Sequence, residues 1–152
     1  MLRRLTITTF FLYAASVVAV TIFPIRVHPA AYWTGEPWWT VLRWIPFEVD
    51  APSFILNIIM FVPLGVLLPM LRPTLDAMRR LGLVAVSASL AIEVTQFVLG
   101  ITVGSRRTVD VNDLIANTAG ALLGLLILRL AVPSPRHRAA FCAENQPSPP
   151  PG

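Results

Sequence analysis

The chain has 152 residues, of which 55% are hydrophobic and only 13% charged, and its formal net charge is +4. A water-soluble domain of this size needs far more charge on its surface, so the composition favours a membrane protein, with one domain at most. Every basic residue is arginine, and the arginines flank apolar segments instead of forming one stripe, which argues against nucleic acid as a partner; the single cysteine, Cys142, excludes an internal disulfide and any multi-cysteine metal site.

Residues 1–4 are a short basic start, and residues 5–23 follow without a charge. At about 1.5 Å of rise per residue, that run is long enough to cross a hydrocarbon core of about 30 Å. It is longer than the apolar part of a signal peptide, and no good small-x-small cleavage site follows it before Tyr32. An uncleaved first span is therefore expected. Residues 24–53 form a loop that holds every tryptophan, Trp33, Trp38, Trp39 and Trp44, together with Arg26, Arg43, Glu36, Glu48 and Asp50. Indole rings settle at headgroup depth, so an interfacial belt is the simpler account of them. An aromatic platform for a sugar or lipid headgroup is the sharper one.

The second span covers residues 54–71 and contains Asn57, Pro63, Gly65 and Pro69. Proline inside a spanning helix frees a backbone carbonyl, so a bend is expected there. A short connection over residues 72–80 carries Arg72, Arg79 and Arg80 against one acid, Asp76. The third span, residues 81–99, repeats Gly82, Ala85, Ser89, Glu93, Gln96 and then Gly100 at three- and four-residue steps. At helical pitch these fall within an arc of about 80°, a small and polar face suited to close helix contact.

Residues 101–112 form a loop with Arg106, Arg107 and Asp110, and the fourth span covers residues 114–132. Asp110, Asp113, Asn117, Gly120 and Gly124 share one narrow face if this helix begins near Asp110. Gly120 and Gly124 make a GxxxG helix-packing pair. Residues 1–132 thus read as one four-span membrane domain, and residues 133–152, Pro-rich and polar, as a disordered cytoplasmic tail. There is no internal repeat.

With four spans both termini share a side. That side carries Arg3, Arg4, Arg72, Arg79, Arg80, Arg136 and Arg138, with Arg129 at the end of the fourth span, against Arg26, Arg43, Arg106 and Arg107 opposite. The positive-inside rule places both termini in the cytoplasm. His28 and His137 have no partner cluster, so no metal centre and no cofactor are expected.

The second and fourth spans start from the side on which the third ends. Asn57, Gln96, Glu93 and Asn117 therefore occupy one leaflet, beside the loop with Arg106, Arg107, Asp110 and Asp113. An ionised carboxylate in hydrocarbon is disfavoured by about 2.5–3.5 kcal/mol, so Glu93 should face the bundle, either protonated or paired with Arg106 or Arg107. One account of this cluster is architectural: Glu93 fastening a loop, Asp110 or Asp113 capping the fourth helix, and Asn57, Gln96 and Asn117 as interhelical glue. Another is a binding pocket, since intramembrane ionisable groups usually mark function. Holding a divalent cation through Glu93, Asp110 and Asp113 is a third, which the adjacent arginines disfavour.

Three pieces, NIIMFVPLG at residues 57–65, EVTQ at 93–96 and RTVDVNDLIANTAGALLG at 107–124, together resemble the VanZ-like family of bacterial integral membrane proteins. The family pattern falls on Asn57, Pro63, Gly65, Glu93, Gln96, Arg107, Asp110, Asp113, Asn117 and Gly120. The resemblance implies an all-α, four-helix transmembrane bundle in the cell membrane. It also implies an association with low-level resistance to teicoplanin and related lipid-bearing glycopeptides, and it carries over no catalytic residue. The expected partners are membrane lipids and a lipid-linked cell-wall precursor or lipoglycopeptide, with a homo-oligomer left open. The ligand-binding candidates are Asn57, Glu93, Gln96, Arg107, Asp110, Asp113 and Asn117. An enzyme acting on a lipid-linked substrate, with Glu93 or Asp110 as general base, is a rival reading that lacks an evident nucleophile; a small transporter or scaffold is another.

Overall fold

The computed structural model describes residues 2–23, 25, 37–104, 108–134 and 138. Four helices make up most of it: α1 (Leu2–Ile22), α2 (Ala51–Leu71), α3 (Met78–Val103) and α4 (Val111–Ala131). Each is long and apolar enough to cross a membrane, and the protein is an all-α, multi-pass membrane protein.

The helices start and stop outside the apolar runs because polar residues set their ends. Asp50 caps α2 by accepting the Ser53 N–H at 3.2 Å, so the helix begins at Ala51 and not at residue 54. Asp110 caps α4 in the same way, its Oδ1 accepting the Asn112 N–H at 2.8 Å, and this helix begins at Val111, as the face shared by Asp110, Asp113 and Asn117 requires. At its far end α3 runs on to Val103 and stops where Gly104 turns left-handed, with φ 72°.

Pro63 and Pro69 both lie within α2, which is a single helix through them. Pro63 offers no N–H to the carbonyl of Ile59. One residue further on, the Met60 carbonyl accepts a hydrogen bond from the Tyr13 hydroxyl of α1 at 2.9 Å.

Around the bundle the order is α1, α2, α4, α3, and α2 and α4 are the closest pair. Glycine permits that approach. A Cβ on Gly65 would overlap the Ala121 carbonyl, one on Gly120 the Ile58 carbonyl, and one on Gly124 the Val62 carbonyl. In lipid, where apolar side chains gain little by leaving their solvent, backbone-close packing of this kind is a main source of helix association. Phe61, Leu64, Ala85 and Ala121 form the core, with Phe10, Tyr13 and Met60 packed against it. The outermost helix, α1, keeps Leu5, Phe11, Leu12, Val18 and Val20 exposed along its length.

The two ends of the bundle are tied differently. Where α2 and α4 begin, the tryptophan loop forms a 3-10 turn (Trp38–Val41) and strand β1 (Leu42–Arg43). This strand pairs in parallel with β2 (Val109–Asp110), placing Leu42 opposite Val109 and Arg43 opposite Asp110. Trp39 and Trp44 are exposed there, while Tyr32 and Trp33 lie outside the described residues.

At the opposite end Asp76 joins two arginines, accepting from Arg129 Nε and Arg138 Nε, each at 2.8 Å. Arg138, nearly fully buried, also donates to the carbonyls of Val132 and Pro133. Burial alone would raise the Asp76 carboxyl, but the hydrogen bonds and charges of Arg129 and Arg138 outweigh it and hold its pKa below the ordinary aspartate value. The rest of the expected tail, residues 135–137 and 139–152, lies outside the described residues.

Candidate functional site

The polar face of α3 and that of α4 meet in two rungs. In the deeper one Asn117 Nδ2 donates to Ser89 Oγ at 2.8 Å, and both residues are buried. One helical turn towards the loop, at i−4 on α4 and i+4 on α3, stand Asp113 and Glu93. Glu93 is 2% exposed, and its Oε2 accepts the Asp110 N–H at 3.3 Å.

From α2, Asn57 closes the cluster by donating from Nδ2 to Asp113 Oδ1 at 2.5 Å. Gln96 points the other way round the bundle, its Nε2 donating to the Thr21 carbonyl of α1 at 2.9 Å. Asp113 on α4 is thus bonded to Asn57 of α2, and Glu93 of α3 to the backbone of Asp110. Arg43, on β1, is the described cation whose charge acts on Asp113. The arginines expected to serve this role, Arg106 and Arg107, lie outside the described residues.

Asp113 also reaches the protein surface. It forms the floor, with Asn57, Gln96 and Thr108, of a crevice of about 830 Å³ between α1 and α2. The crevice walls are Tyr13, Val17 and Val20 of α1 and Leu56, Ile59, Met60 and Pro63 of α2. Val20, Leu56 and Ile59 are 69%, 64% and 59% exposed, so the opening faces sideways, where acyl chains surround a membrane protein, and not only upwards into water. Behind the floor a recess of about 70 Å³ continues between Arg43, Asp50, Ser53, Thr108, Asp110 and Asp113.

The candidates therefore divide. Asn57 is bonded to Asp113 and Glu93 to the Asp110 N–H, Gln96 shares the crevice with Asn57 and Asp113, and Asn117 lies a turn deeper against Ser89. Gly120 and Gly124 pack against α2 and away from the crevice. No described trio of acidic, histidine or cysteine side chains is placed to hold a metal ion.

Sequence reasoning missed three residues. Arg43 and Thr108 looked like ordinary loop residues; nothing in their spacing ties either to Asp113. Asn112 was overlooked although its position beside the capping Asp110 is a signal for a side chain turned back on the loop. It is 2% exposed, its Oδ1 accepts the Phe47 N–H at 2.7 Å, and its Nδ2 donates to the Ile45 carbonyl at 3.1 Å and to Asp110 Oδ1 at 2.8 Å.

No curated protein and no solved structure matches the chain. Residues 10–132 match the VanZ/LLP1 family, a stretch that takes in α2, α3, α4, the crevice and both polar rungs. The chain belongs to the VanZ/LLP1 family.

Proposed function

We propose that the crevice between α1 and α2 holds a membrane amphiphile, with its acyl chain along the apolar walls and its headgroup on the polar floor. The observation that carries this reading is the shape and chemistry of one cavity: apolar, laterally exposed walls above Asn57, Gln96, Thr108 and Asp113. A site for a water-borne solute has no need of a sideways opening into hydrocarbon, whereas a lipid needs that entry and a place to satisfy its polar end.

The excess of arginine on the side of Arg72, Arg79 and Arg80 supports, by the positive-inside rule, a cytoplasmic side for both termini and an outer-leaflet crevice in the cell membrane. There it meets lipid headgroups, lipid-linked cell-wall precursors and acylated glycopeptides. Arg107, in the loop beside Asp110, pairs with an anionic part of such a ligand, while Asn57, Gln96 and Asp113 orient it by hydrogen bonds. Through that contact the protein lowers susceptibility to teicoplanin-type lipoglycopeptides.

The test is a deletion strain complemented with wild-type protein, Asn57→Leu, Gln96→Leu or Arg107→Ala. Susceptibility to an acylated glycopeptide and to its deacylated core is compared at matched membrane abundance. The expected result is that the wild type restores tolerance of the acylated compound alone and the three variants restore little. Equal tolerance with all three variants overturns the binding site.

A further inference from the structure

Outside the crevice, the tryptophan loop holds a cavity of its own, a pocket of about 400 Å³ lined by Leu42, Arg43, Trp44, Ile45 and Glu48. The chain turns at Pro46 and Phe47, so Arg43 and Glu48 reach the pocket from the two arms of that turn. Phe47 stands at φ 66° with 75% of its surface exposed, a conformation that a bulky residue keeps only where its surroundings impose it. Asn112, in the first turn of α4, imposes it by binding the Phe47 N–H and the Ile45 carbonyl. Those bonds also fix the height of the pocket, at the level where α4 begins. Trp44 and Ile45 are 70% and 64% exposed at that level, where indole rings and headgroups mix.

Arg43 and Glu48 carry opposite charges in one pocket, yet the ion pairs among the described residues are those of Asp76, so these two do not pair with each other. We propose that the pocket is a lipid site separate from the crevice, taking a headgroup that carries both a phosphate and an ammonium. The phosphate lies on Arg43, whose guanidinium fork matches it with paired N–H donors. The ammonium lies between the Glu48 carboxylate and the Trp44 indole, which adds cation–π attraction. Such a headgroup brings a counter-charge to both walls at once, whereas a purely anionic one meets Glu48 and a purely cationic one meets Arg43. The occupant is a lipid and not a soluble zwitterion because the exposed Trp44, Ile45 and Phe47 seat the pocket in the headgroup layer. Arg43 also lines the recess behind the crevice floor, so its loss touches both places. Trp44 and Glu48 line neither crevice nor recess, and the proposal does not rest on the crevice reading.

Native mass spectrometry of the full chain, released from nanodiscs of phosphatidylglycerol and phosphatidylethanolamine in equal amounts, measures which lipid is retained. Phosphatidylglycerol carries the phosphate without the ammonium and is the baseline. The wild type should retain phosphatidylethanolamine about two- to fivefold over phosphatidylglycerol, the size expected of one exposed charge contact. Glu48→Gln should bring the two to parity and Trp44→Leu should lower the preference, each with helical content unchanged by circular dichroism. Asn57→Leu, altered in the crevice, should keep the wild-type preference, and free phosphoethanolamine should not displace the retained lipid. Parity in the wild type overturns the site, and so does an undiminished preference in Glu48→Gln. A preference lost in Asn57→Leu and kept in Glu48→Gln belongs to the crevice and overturns a separate site. Displacement by free phosphoethanolamine overturns the lipid as occupant. The crevice reading survives each of these failures, because its own test reads glycopeptide tolerance.

Discussion

Asn112 shows how much one side chain can organise at the edge of a membrane. Its carboxamide bonds both to the cap of its own helix and to the backbone of the preceding loop. By holding the Phe47 N–H it keeps Phe47 at φ 66°, a conformation that a bulky residue adopts only when its surroundings enforce it. Asn112→Ala would leave the Phe47 N–H and the Ile45 carbonyl without a protein partner and let Phe47 relax. The expected loss is about 1–3 kcal/mol, felt in the loop and not in the helices. Limited proteolysis should cut residues 44–49 faster in the variant at unchanged helical content; an unaltered cutting rate would mean that the loop is held by other contacts. Arg43 acts at the same scale through charge. Arg43→Ala should weaken retention of any headgroup phosphate in the crevice without loss of fold, and lipid co-purification measures it.

At the level of elements, the backbone contact between α2 and α4 decides the architecture. Gly65→Ala forces a methyl into the Ala121 carbonyl and must push the two helices apart, so a loss of about 1–3 kcal/mol or more is expected. Gly82 on α3 is the internal control, because a Cβ there meets only the Leu122 Cδ2 at 3.9 Å. Gly82→Ala should be neutral or stabilise α3 by about 0.5–1 kcal/mol. Melting curves in one detergent compare the two, and equal destabilisation would sink the account of close packing. The four spans were legible because each is an apolar run near the length a bilayer demands. Their neighbours were less so: α2 carries apolar residues on nearly every side, so its face towards α4 is marked only by Gly65 and by the GxxxG pair opposite. The start of α2 lay ahead of its apolar run, at the capping Asp50, whereas the start of α4 near Asp110 was legible from the face that Asp110 shares with Asp113, Asn117, Gly120 and Gly124. The polar face of α3 was legible in full, from Ala85 to Gln96, since polar groups at helical spacing have no other place in hydrocarbon. That Asn117 would bond to Ser89 was not, because the pairing depends on the relative height of two helices that no sequence period records.

For the whole molecule, the two ends of the bundle are tied by opposite means. The loop end is tied by hydrogen bonds, several of them from backbone and amide N–H groups to carboxyl oxygens, and by a two-residue strand pair, while the other end depends on ionic bonds from Asp76 to Arg129 and Arg138. Arg138 comes from beyond α4, so this tie draws the chain after the last span back onto the connection between α2 and α3. The ionic end should respond to acid. The Asp76 pKa is lowered in the folded protein, so its contribution to stability is fully present above the unfolded value of about 4 and is lost as the pH falls through the lower folded value. Asp76→Asn removes the charge at every pH. At about pH 7 the variant should melt well below the wild type, and the difference should shrink steadily below about pH 4 as wild-type Asp76 takes up its proton. A difference that stays constant down to the acid limit would show that the tie depends on hydrogen bonding and packing and not on charge.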